Sequence, residues 1–104
     1  MLEIDEAQNG NAFTVETGDV IGLKLSENPS TGYRWRICCE IGPILEVLQD
    51  NFAPSSSLPG AFGSRTWRFK IMQPGRADVK LERRRSWETR AVETFTVSIN
   101  ARLP

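Results

Sequence analysis

Histidine is absent from the 104 residues of this sequence. Ser-His-Asp and Cys-His catalysis both need an imidazole base, and histidine is also the commonest metal ligand. The two cysteines, Cys38 and Cys39, are adjacent, so they cannot form a tetrahedral zinc site without further ligands. No glycine-rich phosphate-binding loop is present. We therefore expect a protein that is not an enzyme, with no catalytic residues, no metal site and no cofactor.

An excess of charge and a long apolar run are also missing. Lysine and arginine together number 13, aspartate and glutamate together number 13, and the formal net charge is zero. Proteins that bind nucleic acids or membrane surfaces usually carry a basic excess. No segment of the sequence approaches the ~20 apolar residues that cross a bilayer. We expect neither a nucleic-acid partner nor a membrane partner.

The N-terminal residues and the cysteines bear on localisation. The first ten residues, MLEIDEAQNG, lack the apolar stretch of a signal peptide. A disulfide between the neighbouring Cys38 and Cys39 would close a strained ring, so we expect reduced and at least partly buried thiols, which favour a reducing compartment. The sequence as written indicates a cytoplasmic protein, or a periplasmic or secreted one if a signal peptide has been removed.

Alternation of apolar and polar residues is the main pattern along the chain. In segment 66–71, Trp67, Phe69 and Ile71 share one face and polar residues the other, which is typical of a half-buried strand. The same alternation recurs at 21–25, 33–37, 77–82 and 94–99, a short strand is expected near 13–15, and 44–48 fits either a strand or a short helical turn. Many short strands between turn residues predict an all-β sandwich or barrel, and the length predicts one domain, residues 1–104.

The connections between the predicted strands fall into two groups. If consecutive strands run antiparallel, successive connections alternate between the two ends of the sandwich. Three short turns then share one end, at 16–19, 40–43 and 73–76. Three longer or chemically unusual loops share the other end, at 26–32, 51–64 and 83–91. Loops held by a rigid sandwich are common binding sites, so we expect a functional surface at the second end.

The first of these loops contains the stretch NPSTGYRW, which begins at Asn28. Pro29 fixes φ and Gly32 permits a positive φ. Asn28, Ser30 and Thr31 supply local hydrogen-bonding groups. Such a segment is either an elaborate turn or a rigid, shaped surface that a partner contacts.

The other two loops allow two interpretations each. In LPGAFGS, residues 58–64, Gly60 and Gly63 either make the loop flexible or let its backbone approach another backbone closely. In RRRSWETR, residues 83–90, the three arginines form either a solvated charge run or a nucleic-acid patch. Trp87 either folds over the end of the sandwich or stands exposed, and exposed tryptophan and arginine dominate binding hot spots.

Together the three loops resemble those of the chagasin-type inhibitors of papain-like cysteine peptidases. The first loop of that family reads N-P-T-T-G, then an aromatic residue and, shortly after, a tryptophan, and the stretch from Asn28 to Tyr33 with Trp35 matches it closely. The second loop, G-x-G-G, is matched in part by residues 60–63. The third, R-P-W, is matched by residues 85–87 with serine in the middle. The resemblance runs from Val20 to the final predicted strand.

The resemblance implies an all-β, immunoglobulin-like antiparallel β-sandwich and a function. Members of this family fill the peptidase cleft with a wedge of three loops. We therefore expect a monomeric, reversible, tight-binding inhibitor that occludes the cleft with loops 26–32, 58–64 and 83–90, with Thr31 nearest the catalytic cysteine. The residues implied to contact the peptidase are Asn28, Pro29, Ser30, Thr31, Gly32, Gly60, Ala61, Phe62, Gly63, Arg85 and Trp87.

Two positions depart from the family pattern. Phe62 stands where the family usually has glycine, so the second loop, implied to make backbone hydrogen bonds along one side of the cleft, would approach differently. Ser86 replaces a proline that would stiffen the third loop, so Trp87, implied to pack with Arg85 on the other side, would be less preorganised. The alternative function is an immunoglobulin-like module that binds a protein or polysaccharide without inhibiting a peptidase.

Overall fold

The computed structural model describes residues 2–28, 31–38, 42–54 and 62–104. These residues contain eight strands: β1 (Leu2–Ile4), β2 (Ala12–Glu16), β3 (Val20–Glu27), β4 (Arg34–Ile37), β5 (Leu45–Pro54), β6 (Gly63–Ile71), β7 (Gly75–Arg84) and β8 (Glu93–Arg102). A short 3-10 helix, Glu6–Gln8, lies between β1 and β2. Among the described residues, no helix is long and apolar enough to cross a membrane.

The strands form two four-stranded sheets. One has the order β1-β3-β6-β5 and the other β2-β8-β7-β4. Neighbouring strands are antiparallel except for β1 beside β3 and β2 beside β8, which are parallel. The predicted all-β, immunoglobulin-like antiparallel β-sandwich is confirmed. The assumption that consecutive strands run in opposite directions is confirmed, because the two parallel pairs join strands that are not consecutive in the chain.

The core lies between the sheets and is built from alternate residues of the strands. Trp67, Phe69 and Ile71 of β6 are each at most 1% exposed, as the alternation predicts. Other core side chains are Ile21, Leu23 and Leu25 of β3, Trp35 of β4, Val79 and Leu81 of β7, and Phe95, Val97 and Ile99 of β8. Burial of one such side chain contributes about 1.5–3 kcal/mol. The inward faces therefore hold the two sheets together and fix where their loops emerge.

Segment 44–48, which fitted two structures in the sequence, leads into β5, and this strand continues to Pro54. Within the segment only Leu45 is buried, and the apolar residues near the following register shift lie about half exposed. The loop predicted at 51–64 is wrong in its bounds, because β5 and β6 pair to their ends, where Gly63 meets the last residue of β5.

The short turns lie together at one end of the sandwich, hereafter the turn end. The Gly18 N–H donates to the Ile71 carbonyl oxygen at 2.8 Å, which joins the β2–β3 turn to the end of β6. The Met72 N–H donates to the Ile44 carbonyl oxygen at 2.7 Å, which joins the start of β5 to the same place. The predicted placement of these turns is therefore confirmed for the described residues; of the turn at 40–43, residues 40–41 lie outside them.

The four remaining connections lie at the other end, hereafter the loop end; one of them joins β1 to β2 and contains the 3-10 helix, and the other three are the predicted loops. The first loop spans 28–33, the second 55–62 and the third 85–92. Of the second loop, only Phe62 is among the described residues. Gly63 pairs at once with the last residues of β3 and of β5, so the bases of the first and second loops adjoin.

Cys38 is exposed, so the prediction of a buried thiol is wrong for this residue. Trp35 and Ile37 are the inward residues of β4, and the alternation of a strand therefore turns Cys38 toward solvent. Its backbone N–H continues the ladder by donating to the Lys80 carbonyl oxygen at 3.0 Å. Cys39 lies outside the described residues.

Candidate functional site

The described residues of the three loops meet at the loop end. Arg85 of the third loop donates from Nε to the Thr31 carbonyl oxygen at 3.1 Å. A Cβ placed on Gly32 would lie 3.4 Å from Cη2 of Trp87, so the Trp87 ring of the third loop lies beside Gly32 of the first. Phe62 of the second loop and Thr31 line the same open cavity of about 320 Å³. The predicted convergence is confirmed for these residues.

The first loop is held by its own hydrogen bonds. The Thr31 hydroxyl donates to the Asn28 carbonyl oxygen at 2.9 Å and accepts from the Tyr33 N–H at 3.3 Å. The Thr31 N–H donates to the same Asn28 oxygen at 3.3 Å. Gly32 has a φ of 80°, a conformation that strongly favours glycine. The described residues at the two ends of the loop are therefore joined directly by hydrogen bonds.

Arg85 joins the first and third loops through its guanidinium group. The guanidinium carbon lies 4.3 Å from the centroid of the Tyr33 ring and 5.8 Å from that of the Trp87 ring. Its Nη1 also lies 3.5 Å from Glu88 Oε1. A cation over an aromatic face at an exposed site contributes ~0.5–1 kcal/mol. Arg85 therefore positions both rings relative to the first loop before a partner binds.

Trp87 and Phe62 expose 72% and 67% of their surface. The alternative in which Trp87 folds over the end of the sandwich is therefore wrong. The third loop is nevertheless fixed from within, because the Glu88 N–H donates to the Arg85 carbonyl oxygen at 3.1 Å and Arg84 Nη1 donates to the Glu88 carbonyl oxygen at 2.9 Å. These bonds stabilise the loop without the proline of the family pattern.

Gly63 opens β6 and is buried. A Cβ at this position would collide with the Ala53 carbonyl oxygen and the Phe52 ring. The close backbone approach predicted for this glycine is confirmed, and it is made with β5 of the same molecule. Gly63 therefore shapes the base of the second loop. The predicted site residues that lie outside the described part of the chain are Pro29, Ser30, Gly60 and Ala61.

A buried carboxylate that sequence reasoning missed holds the base of the first loop. Glu27, at the end of β3, is 2% exposed. Its Oε1 accepts from the Trp35 N–H at 2.8 Å, and its Oε2 lies 3.8 Å from Arg65 Nη1. The Trp35 indole also donates to the Ser26 carbonyl oxygen at 2.9 Å. The sequence does carry a signal for this role, because Glu27 continues the inward alternation of β3 immediately before the loop.

The arginine run at the start of the third loop is engaged within the molecule. The Arg83 guanidinium lies 5.7 Å from the centroid of the Trp35 ring and 3.7 Å from the Glu93 carboxylate. Arg84 Nε lies 3.9 Å from the Glu82 carboxylate. Arg85, the third arginine of the run, donates to the Thr31 carbonyl oxygen in the first loop. These contacts favour a structural role for the run over a nucleic-acid patch.

Glu6 supports the edge of β3 near the first loop. Its Oε1 accepts from the Ser26 N–H, beyond the point where β1 stops pairing with β3 at Leu23. Partial burial raises the pKa of Glu6, but hydrogen bonds, chiefly from the Ser26 N–H, outweigh burial and lower the pKa below its ordinary value. The ionised carboxylate therefore stabilises the strand that leads into the first loop.

The loop end presents exposed side chains and has no candidate metal centre among the described residues. In the parts of the chain that the structure describes, no group of three or more histidine, cysteine, aspartate or glutamate residues could hold a metal ion. The Thr31 hydroxyl is occupied by the hydrogen bonds of its own loop. The surface presents a rigid turn, an arginine and two exposed aromatic side chains, and such residue types dominate protein–protein hot spots.

Similar proteins were found both by sequence and by structure. The model of the chagasin family of peptidase inhibitors, I42, matches residues 14–99. Chagasin from Trypanosoma cruzi is 30% identical over 108 residues, which cover 95% of this chain and 96% of that protein. Amoebiasin-1 from Entamoeba histolytica is 28% identical over 102 residues, with 95% and 98% coverage. The solved structure of the cysteine protease inhibitor EhICP2 from Entamoeba histolytica has a TM-score of 0.84 at 27% identity, covering 97% of this chain and 95% of that one.

The family match extends from β2 to β8 and includes all three loops. It therefore rests on the same segments that meet at the loop end, together with the sandwich that carries them. The predictions of the family and of a function other than catalysis are confirmed. The chain belongs to the chagasin family of peptidase inhibitors, and it is an inhibitor rather than an enzyme.

Proposed function

We propose that the chain is a reversible, tight-binding inhibitor of papain-like cysteine peptidases that occludes their active-site cleft with its three loops. The observation that carries the proposal is the position of Arg85, which bonds to Thr31 and stacks near Trp87, so that loops distant in sequence form one preorganised surface. The family supports inhibition of a peptidase, and the similar protein EhICP2, a cysteine protease inhibitor, supports the target class.

The first loop is suited to cover a catalytic cysteine without being cleaved. In the proposed complex Thr31 and Gly32 lie nearest the cysteine, and Asn28, Pro29 and Ser30 form the rest of the inserted loop. A peptidase cleaves a chain that lies extended in its cleft. This loop is instead closed by the Thr31–Asn28 hydrogen bonds and by the φ of 80° at Gly32. Inhibition is therefore reversible and involves no covalent step.

The second and third loops contact the two sides of the cleft. Trp87 offers a large exposed face to the peptidase, with Arg85 beside it. Phe62 and residues 60–61 contact the opposite side, and Gly63 supports them from within the sheet. Preorganised loops lose little conformational entropy on binding, and interfaces of about 1,600 Å² can be among the tightest known.

Titration of papain with the purified protein tests the proposal. We expect reversible inhibition with a constant of nanomolar order. We expect Trp87→Ala to weaken inhibition by at least ~10-fold, which corresponds to about 1.4 kcal/mol, because the side chain is a hot-spot candidate. The matched control is Leu103→Ala, which truncates an apolar side chain that is 69% exposed and follows β8 near the turn end.

Two results would contradict the proposal in different ways. If the folded wild-type protein leaves papain and several related peptidases fully active, the proposal that it inhibits papain-like peptidases is wrong. The alternative of a non-inhibitory binding module is then favoured. If Trp87→Ala and Leu103→Ala both inhibit as the wild type does, Trp87 does not belong to the contact surface.

A further inference from the structure

A cleft opens beside the first loop, at the free edge of β4. It has a volume of about 280 Å³ and is lined by Arg34, Trp35, Arg36, Ile37, Asp50 and Arg65. β4 is the outer strand of one sheet and β5 that of the other, so the cleft lies on an open side of the sandwich. Arginines contribute three of the lining residues, and their planar guanidinium groups suit paired hydrogen bonds to a carboxylate.

The three arginines differ in how their charge is balanced. Arg65 Nε lies 2.7 Å from Asp50 Oδ1, and Arg65 Nη1 lies 3.8 Å from Glu27 Oε2. By contrast, no carboxylate in the described ranges lies within 4.0 Å of the guanidinium of Arg34 or Arg36. Within the described ranges, the mouth of the cleft therefore carries two guanidinium groups that no carboxylate contacts.

The sheet places a further positive charge next to this pair. The register sets Arg34 directly opposite Arg84 and Arg36 directly opposite Glu82. Like charges in such a position are destabilising, and the Glu82 carboxylate, 3.9 Å from Arg84 Nε, offsets part of the repulsion. An anion bound at Arg34 would offset the remaining repulsion between Arg34 and Arg84.

The backbone of β4 also faces the cleft. The Cys38 N–H donates to the Lys80 carbonyl oxygen in β7, and such bonds alternate along an antiparallel ladder. The N–H groups of Trp35 and Ile37 therefore point away from β7. That of Trp35 donates to Glu27 at 2.8 Å, and that of Ile37 is a second donor on the cleft side.

The cleft lies within reach of a peptidase that binds the first loop. Arg34 and Arg36 follow Gly32 by two and four residues, at most ~7 and ~13 Å along an extended strand. An interface of about 800 Å² on each partner corresponds to a disc of ~16 Å radius. Both arginines therefore lie close enough to the first loop for the rim of a bound peptidase to approach them from the side of the sandwich.

We propose that this cleft is a carboxylate subsite, in which an aspartate or glutamate on the rim of the peptidase cleft inserts between Arg34 and Arg36. The inference rests on the proposed function. Charges at the rim of an interface mainly raise the association rate and discriminate among partners. The subsite therefore selects, among papain-like peptidases, those with an acidic residue beside the cleft.

A double-mutant cycle tests the subsite. The inhibitor variant is R34Q/R36Q, and the target is a papain-like peptidase that the wild type inhibits, together with a variant of it whose rim aspartates and glutamates are replaced by their amides. We expect R34Q/R36Q to associate with the acidic peptidase ~10-fold more slowly than the wild type at low salt. The difference should shrink at high salt and disappear with the amide variant.

The control R76Q/R102Q removes the same number of charges at the turn end, and it should associate at close to the wild-type rate. R34K/R36K keeps the charge but not the paired hydrogen bonds. We expect it to retain most of the association rate and to dissociate faster. Thermal unfolding of each variant checks the fold, and R34K/R36K supplies the comparison if R34Q/R36Q does not fold.

The possible outcomes distinguish a failure of the subsite from a failure of the proposed inhibitory function. If the wild type inhibits none of the papain-like peptidases tested, the proposed function and the subsite are both wrong. If it inhibits while R34Q/R36Q associates as the wild type does, the subsite is wrong and the inhibitory function stands. The subsite is also wrong if R34Q/R36Q loses as much association rate with the amide variant of the peptidase as with the acidic peptidase.

Discussion

The turn end and the loop end of the sandwich are closed in different ways. At the turn end the backbone closes on itself, as in the bond from the Gly18 N–H to the Ile71 carbonyl oxygen at 2.8 Å. At the loop end backbone bonds close the single loops but side chains join one loop to another, as in the bond from Arg85 Nε to the Thr31 carbonyl oxygen at 3.1 Å. Closure by side chains leaves loops that project from the sandwich, and Trp87 remains 72% exposed on one of them.

This difference indicates what each end contributes to the protein. Backbone hydrogen bonds join the strands through short turns and depend little on the identity of single side chains. Closure by side chains keeps three loops in a shape that suits a partner, and it depends on a few residues. Substitutions at either end should therefore lower the free energy of unfolding. Only the substitutions at the loop end should also weaken inhibition of papain.

The largest effect is expected for Glu27→Ala. The substitution leaves the Trp35 N–H unsatisfied and removes one of the two carboxylates near Arg65. A buried group left without its partner costs ~1–3 kcal/mol, and more when a charge is involved. We expect the free energy of unfolding to fall by about 3 kcal/mol, measured with denaturant. Inhibition of papain should weaken as well, because the base of the first loop is no longer fixed.

Asp19→Ala is the matched change at the turn end. Asp19 is exposed, and its Oδ2 accepts from the Glu16 N–H at 2.9 Å. Because solvent can replace this acceptor, we expect a loss of about 1 kcal/mol or less and unchanged inhibition. Equal losses of stability in the two variants, or wild-type inhibition by Glu27→Ala, would remove the distinction between the ends.

A smaller effect is expected for Gly32→Ala, with Gly18→Ala as its counterpart. The two glycines have similar φ values, 80° and 96°, and a Cβ in this region costs roughly 1–2 kcal/mol. At Gly18 no described atom lies within 4 Å of that Cβ, whereas at Gly32 it contacts Trp87 and Arg85. Both variants should lose similar stability, but only Gly32→Ala should inhibit papain several-fold more weakly. Similar inhibition by both would show that the shape of the first loop does not matter.

Arg85→Lys should have a smaller effect on stability. Lysine keeps the charge but loses the planar group that stacks near Tyr33 and Trp87 and the Nε bond to Thr31. We expect a loss below about 1 kcal/mol in unfolding free energy and a several-fold faster dissociation from papain. Arg76→Lys serves as the control and should change neither quantity, because this arginine has a side chain that is 67% exposed and lies near the start of β7, beside the turn end. An unchanged dissociation rate for Arg85→Lys would mean that Arg85 does not hold the loops for binding.

Most of the sandwich could be predicted from the sequence because its information is local. Trp67, Phe69 and Ile71 mark one strand by alternation alone, and turn residues mark where strands end. The order of strands and turns then places the three loops at one end. Leu2–Ile4 escaped prediction because three residues are too few for a period, and their pairing depends on β3.

The contacts that shape the loop end could not be predicted in the same way. Arg85 and Thr31 are 54 residues apart, and nothing local to either residue indicates the bond between them. Glu27 was overlooked because a carboxylate beside a loop is usually solvated, although its inward position in β3 was visible in the alternation. The bounds of the second loop were wrong because the polar residues of β5 resemble a loop, and their pairing with β6 is a tertiary property.

The smallest effect is a dependence on pH through Glu6, next to the base of the first loop. Burial raises the pKa of Glu6, but the hydrogen bond from the Ser26 N–H outweighs it, so the folded-state pKa lies below the ordinary value of 4.5. A depressed pKa means that the carboxylate stabilises the fold above the unfolded-state value and loses that contribution as pH falls through the folded-state pKa. Glu6→Gln should therefore be less stable than the wild type near neutral pH, and the difference in melting temperature should shrink as pH falls below 4.5. A difference that stays constant with pH would show that the ionised carboxylate does not support β3, and that the turn beneath the first loop is held by Glu27 and the sheet alone.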